Sequence, residues 1–149
     1  MTNRWVHALW CDDIRQELGN KPSLMGIYTN AITIPSLPIA LHRIAVYTTI
    51  VTEVDNPIKK LAFKIVRDDG FVLANLQQDA VDYDSALDKT NGDATRLAIT
   101  IAVTLNNIEI PEGCKYLQVL VQTESESLDG SKLYINVDLD AFPVVTKET

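Results

Sequence analysis

The chain has 149 residues, 46% of them hydrophobic and 22% charged, with 20 acidic against 13 basic side chains and a net charge of −7. That balance excludes a disordered chain, and the length suits one domain, residues 1–149, with its own core. It also argues against nonspecific nucleic-acid binding, which rests on Lys and Arg neutralising phosphates, because Lys59-Lys60 is the only adjacent basic pair.

Strand patterns dominate from the start. Residues 5–14 alternate with Trp5, His7, Leu9 and Cys11 on one face and Val6, Ala8 and Trp10 on the other. Both faces are apolar, so this strand is expected to be covered on both, inside the domain or by a partner. Residues 11–18 also admit a helical turn or two. Gly19-Asn20 is a turn, and residues 23–34 read as a second strand containing Gly26.

Pro35 and Pro38 stop that strand and mark a corner. Residues 41–54 place Ile44, Val46, Thr48, Ile50 and Thr52 on one face and Ala45, Tyr47, Thr49 and Val51 on the other, with many β-branched residues. Asp55-Asn56-Pro57 is a turn. In residues 59–67, Leu61, Phe63 and Ile65 point inward, and Asp68-Asp69-Gly70 hairpins the chain into a strand over 71–76.

Residues 77–93 are polar and acidic, a long loop or a short helix near 84–89. Alternation returns over 97–105, followed by an edge piece and turn over 108–113. Two more strands, 116–123 and 133–139, are joined by a connection turning at Leu128-Asp129-Gly130, and the tail after Phe142 is loose. The sum is an all-β domain: a two-layer antiparallel β-sandwich of about eight strands, Ig-like or C2-like in its Greek-key connections. Five strands precede the acidic interruption and three follow it.

The stretch from Ala8 through Cys11-Asp12-Asp13-Ile14-Arg15 to Glu17, with Ser23-Leu24-Met25-Gly26-Ile27-Tyr28, resembles the opening of a family of small bacterial and phage-borne proteins. Pro111-Glu112-Gly113 before Tyr116 and the closing Leu-Asp-Gly segment also look similar. The family carries only a domain-of-unknown-function label. The resemblance implies a compact β-rich domain and brings no activity with it.

Chemistry-bearing residues are sparse. Asp12, Asp13 and Arg15 form the densest polar cluster beside a core strand. They read as metal ligands or a carboxylate pair with Arg15 holding an anion, as a binding patch together with Trp5 and Trp10, or as a strand end whose carboxylates bond local amides. Asp79, Asp82 and Asp84 are the best cation candidates, although their spacing matches no EF-hand loop and a solvated acidic loop explains them as well. His7, Cys11, His42 and Cys114 lack zinc-ligand spacing, so buried free thiols are expected.

No cofactor is expected. An anionic membrane surface is disfavoured by the charge, and no apolar run reaches the roughly 18 residues of a membrane helix. The N-terminus lacks a signal-peptide pattern, and the cysteines are too few for a disulfide scaffold, which together suggest a cytoplasmic protein. The leading expectation is a noncatalytic binding or assembly module that self-associates or meets a protein partner. Two alternatives stay open: a phage-related accessory protein (a virion decoration or a host-factor inhibitor), and a calcium-dependent binder or hydrolase using the acidic loop.

Overall fold

The structure, a computed structural model, describes residues 3–81 and 93–142. Among them the chain forms nine strands and one 3-10 turn, Leu139–Ala141. In chain order the strands are β1 (Trp5–Glu17), β2 (Lys21–Tyr28), β3 (Ala31–Ile34), β4 (Ile39–Glu53), β5 (Leu61–Arg67), β6 (Val72–Gln78), β7 (Arg96–Ile110), β8 (Tyr116–Thr123) and β9 (Ser127–Val137). They build a front sheet in the order β2-β1-β4-β7 and a back sheet in the order β3-β9-β8-β5-β6. All neighbours are antiparallel except β3 and β9, which run parallel. The expected sandwich is present, with nine strands and one parallel pair. None of the described helical segments is long and apolar enough to cross a membrane.

Period-two alternation builds the core. Ala8, Trp10, Ile44, Val46 and Ile50 of the front sheet meet Leu61, Phe63, Ile65, Leu117, Val119, Val121 and Leu133 of the back sheet. Burying each of the larger side chains contributes about 1.5–3 kcal/mol. β4 and β7 change phase at the same level: inward residues shift from Ile39 and Leu41 to Ile44 and Val46 in one strand. In the other they shift from Leu105 to Ile108 and Ile110. Asn107 makes the step in the left-handed region, at φ 51°, which asparagine tolerates better than most residues. Residues 108–110 are therefore the end of β7, not a separate edge piece.

Three other expectations change. Residues 11–18 form no helical turn, because β1 stays extended to Glu17 and pairs with β2 across the hairpin. Residues 23–34 are two strands in different sheets: the chain crosses at Thr29-Asn30, so β2 extends the front sheet and β3 joins the back one. The turn expected at 128–130 lies inside β9. The chain reverses instead at residues 124–126, where the Thr123 hydroxyl accepts the amides of Ser125 and Glu126. Gly130 serves close packing, since a Cβ there would sit 2.8 Å from both the Cβ and the carbonyl of Val119. The five-and-three division does not survive either, because each sheet takes strands from both sides of the acidic segment.

One polar node ties the sheets together. The side chain of Arg4 is 1% exposed and forms an ion pair with Glu124 at 2.7 Å. Its guanidinium also donates to the hydroxyls of Thr52, Thr123 and Ser125, to the Asn56 side chain, and to the carbonyls of Asn56 and Pro57. The planar fork of arginine supplies the donors that such a node needs. Partial burial raises the Glu124 carboxyl, but hydrogen bonds from Arg4 and from the amides of Glu124, Lys59 and Lys60 outweigh it and hold the pKa at about 2.

Candidate functional site

The residues singled out from the sequence do not form one patch. Trp10 faces the core at 3% exposure and donates its indole N–H to the Ser131 carbonyl, so it is a packing residue of the sandwich. Asp12 accepts a short hydrogen bond from the Tyr28 hydroxyl. Its carboxylate lies over Gly26, whose φ is +66° and where a Cβ would come within 2.8 Å of the Asp12 Cγ. Burial first, and then this bond to a carboxylate, push the Tyr28 hydroxyl above its ordinary pKa. Asp13 pairs with Arg43 at 3.1 Å and caps the Ile14 amide, while Arg15 pairs with Glu17 at 2.7 Å. The Cys-Asp-Asp and Ser-Leu-x-Gly-Ile-Tyr segments are thus two halves of one hairpin lock.

Trp5 has a different setting. It is 44% exposed on the outer face of the front sheet, with the Arg96 guanidinium stacked 4.5 Å from its ring. The strand registers put it in a row with Val51 and Ala98. Below it come His7, Thr49 and Thr100, then Leu9, Tyr47 and Ala102, then Ile27, Cys11, Ala45 and Thr104. These four rows hold no Asp, Glu, Lys or Arg. Glu53 and Arg96 close them at one end, and the Asp13–Arg43 pair, with Arg43 also donating to Asn106, closes them at the other.

These rows, on three strands with Ile27 of β2 added, form an uncharged face on which Trp5, His7, Ala98, Thr100, Ala102 and Thr104 are exposed, while Cys11 and Ala45 are buried within it. The first strand's two-sided apolar character therefore has a physical basis: Val6, Ala8 and Trp10 meet the core, and Trp5, His7, Leu9 and Cys11 belong to this outer face. Cys11 is fully buried beneath its neighbours, and burial raises its thiol pKa. Cys114 is likewise buried and free.

The uncharged face runs out to an edge. The amide of Val54 donates to the Thr95 carbonyl at 3.1 Å. That fixes which residues of β7 bond to β4: the odd-numbered ones from 97 to 105, by the alternation of an antiparallel ladder. Ala98, Thr100, Ala102 and Thr104 therefore turn their N–H and C=O groups away from β4. No strand among the described residues meets them there. The same count on β1 turns the Ala8 carbonyl away from β4, where the Ser131 hydroxyl indeed donates to it at 2.9 Å.

A separate groove of about 600 Å³ lies where β2 ends beside the open half of β1, lined by His7, Tyr28, Asn30, Gln118, Asp129 and Lys132 among others. Lys132 is drawn to the Tyr116 ring, 4.4 Å from its centroid, and Tyr116 meets Tyr134 edge-on at 6.0 Å. Among the described residues no three His, Cys, Asp or Glu side chains gather in a way that could hold a metal ion. Asp79 is exposed and accepts from the Gln77 side chain at 3.1 Å. Asp82 and Asp84, named with it as cation candidates, lie outside the described residues.

Sequence reasoning missed two features. The Arg4 node joins positions some fifty and 120 residues apart, and no local pattern marks such a meeting. The four-row face needs the registers of three strands, although the lack of charge over 97–105 was open to view. No curated protein and no solved structure matches the chain. A family model described as a family of unknown function (DUF6941) matches residues 6–136. The match spans most of the sandwich, from the second residue of β1 to the second-last residue of β9, and the chain belongs to that family.

Proposed function

We propose that this chain is a noncatalytic binding and assembly module that works by protein association, with self-association as its first use. The observation that carries this reading is the uncharged outer face of the front sheet, with Trp5, Leu9, Tyr47 and Val51 between two charged borders. An acidic protein repels its own copies over most of its surface, so contact favours the region where no charge must be desolvated or opposed. Flat sheet faces and edges supply such contact without a cleft.

The test is molar mass by light scattering across a concentration series, with Ala102→Lys as the probe. Ala102 is exposed on the outer face, where a lysine ammonium can still reach solvent. The reading expects mass above that of a single chain, and a clear shift toward the monomer in Ala102→Lys at an unchanged fold by circular dichroism. A wild-type chain that stays monomeric at every concentration contradicts it.

A further inference from the structure

We infer that two copies of this chain pair through β7, edge to edge and antiparallel, so that the two front sheets become one eight-stranded sheet. This rests on the reading of the chain as a self-associating module and specifies its interface. β7 is fifteen residues long and, among the described residues, lies at the end of its sheet. From residue 97 to residue 108 it contains no charge and no proline, and Ala98, Thr100, Ala102 and Thr104 offer backbone donors and acceptors outward. Such an edge templates another strand unless something blocks it.

The charges at its ends select the partner and the direction. Arg96 opens the strand and Glu109 lies next to its last residue. An antiparallel copy brings each Arg96 toward the partner copy's Glu109 end, whereas a parallel copy sets like charges side by side. Pairing through a two-fold axis normal to the sheet keeps each side chain on its own face, and an axis at Ala102 sets each Ala102 beside its copy. The small side chains of Ala98, Thr100, Ala102 and Thr104 are all exposed on the outer face and raise no steric barrier there.

The back sheet supports the same approach. β6, its edge strand on this side, is also uncharged over Val72–Gln78. Two hollows of about 300 Å³ and 290 Å³ lie between β6 and β7, one beside Phe71, Leu73 and Leu105, the other beside Leu76 and Ile101. Phe71, Val72 and Leu76 are 56%, 44% and 49% exposed. Nine extended residues span about 30 Å, and a two-layer edge of that length offers roughly 600 Å² per copy. Two copies then bury about 1,200 Å², the lower bound for a specific interface.

The experiment compares wild type with Thr100→Pro. The Thr100 N–H points to the free edge, so proline there removes a donor the ladder with β4 does not use. The wild type is expected to show a dimer mass by light scattering. Thr100→Pro, with its strand content and urea midpoint measured alongside, is expected to weaken association at least tenfold. Should the proline disturb the fold, Ala102→Cys replaces it: mild oxidation is expected to yield a disulfide dimer, and Ala98→Cys, far from the axis, is expected not to. A dimer that Ala102→Lys dissociates, while folded Thr100→Pro does not, overturns the edge pairing and leaves the module reading standing. A wild type that is monomeric throughout overturns both.

Discussion

The two edges of the front sheet are built in opposite ways. β2 begins with Lys21-Pro22, is only eight residues long, and kinks at Gly26 with the Asp12 carboxylate lying across it. Charge, proline and a local kink are the means by which natural sheets keep an edge from pairing. β7 is nearly twice as long and has none of them between its charged ends. Among the described residues one sheet thus carries a protected edge and an open one, and the open one borders the uncharged face. The back sheet repeats the contrast, with a four-residue β3 on the protected side and the neutral β6 on the other.

The Arg4 node between the sheets and the Asp12–Gly26 lock at the protected edge hold their polar groups tightly, and there the largest stability effects are expected. Arg4→Met leaves the Thr52 and Thr123 hydroxyls and the Asn56 and Pro57 carbonyls without their donor and is expected to cost about 3–5 kcal/mol in sum, read by urea unfolding. Arg4→Lys is expected to recover only part of this, because an ammonium cannot reach the spread of acceptors that the fork meets. Full recovery by lysine would show that the node acts through charge alone.

Gly26→Ala combines a left-handed backbone with a collision against Asp12, and should cost about 2–4 kcal/mol. In an Asp12→Ala background the collision is gone, so the same substitution is expected to cost less; an equal cost would leave only the backbone term. Tyr28→Phe removes one hydrogen bond to a charged acceptor from the same lock, at about 1.5 kcal/mol.

Acid should act on the Arg4 node first. The folded Glu124 carboxyl sits at about 2, below its ordinary 4.5. Its contribution to stability is therefore complete above about pH 4.5 and is lost as pH falls toward 2. Stability measured between pH 5 and 2.5 should fall more steeply in wild type than in Glu124→Gln. The smallest effect expected is a gain. The Thr48 hydroxyl is buried without a partner among the described residues, so Thr48→Val should stabilise by about 1 kcal/mol and raise the melting temperature by a few degrees.

The fold class was legible because period-two alternation is a local signal. The faces read for residues 5–11, 44–52 and 61–65 are those the sheets adopt. What escaped was non-local or a matter of phase. Alternation through residues 23–34 is continuous, yet it cannot say that Thr29-Asn30 carries the chain from one sheet to the other. Asn107 shifts β7 by one residue, which made its last turn look like a separate piece. The Leu-Asp-Gly segment carries turn residues, but Gly130 is there for its closeness to Val119. At the candidate site, alternation put Trp5 and Trp10 on opposite faces of β1 without saying which would be exposed, since only the second sheet decides which face of β1 becomes core.

Amide hydrogen exchange resolved along β7, at low and high protein concentration, tests the open edge most directly. The account predicts that Ile99, Ile101 and Val103 are protected at both concentrations by their bonds to β4. The amides of Ala98, Thr100, Ala102 and Thr104 should exchange fast when dilute and gain protection as concentration rises. Fast exchange of those four amides at every concentration would contradict it.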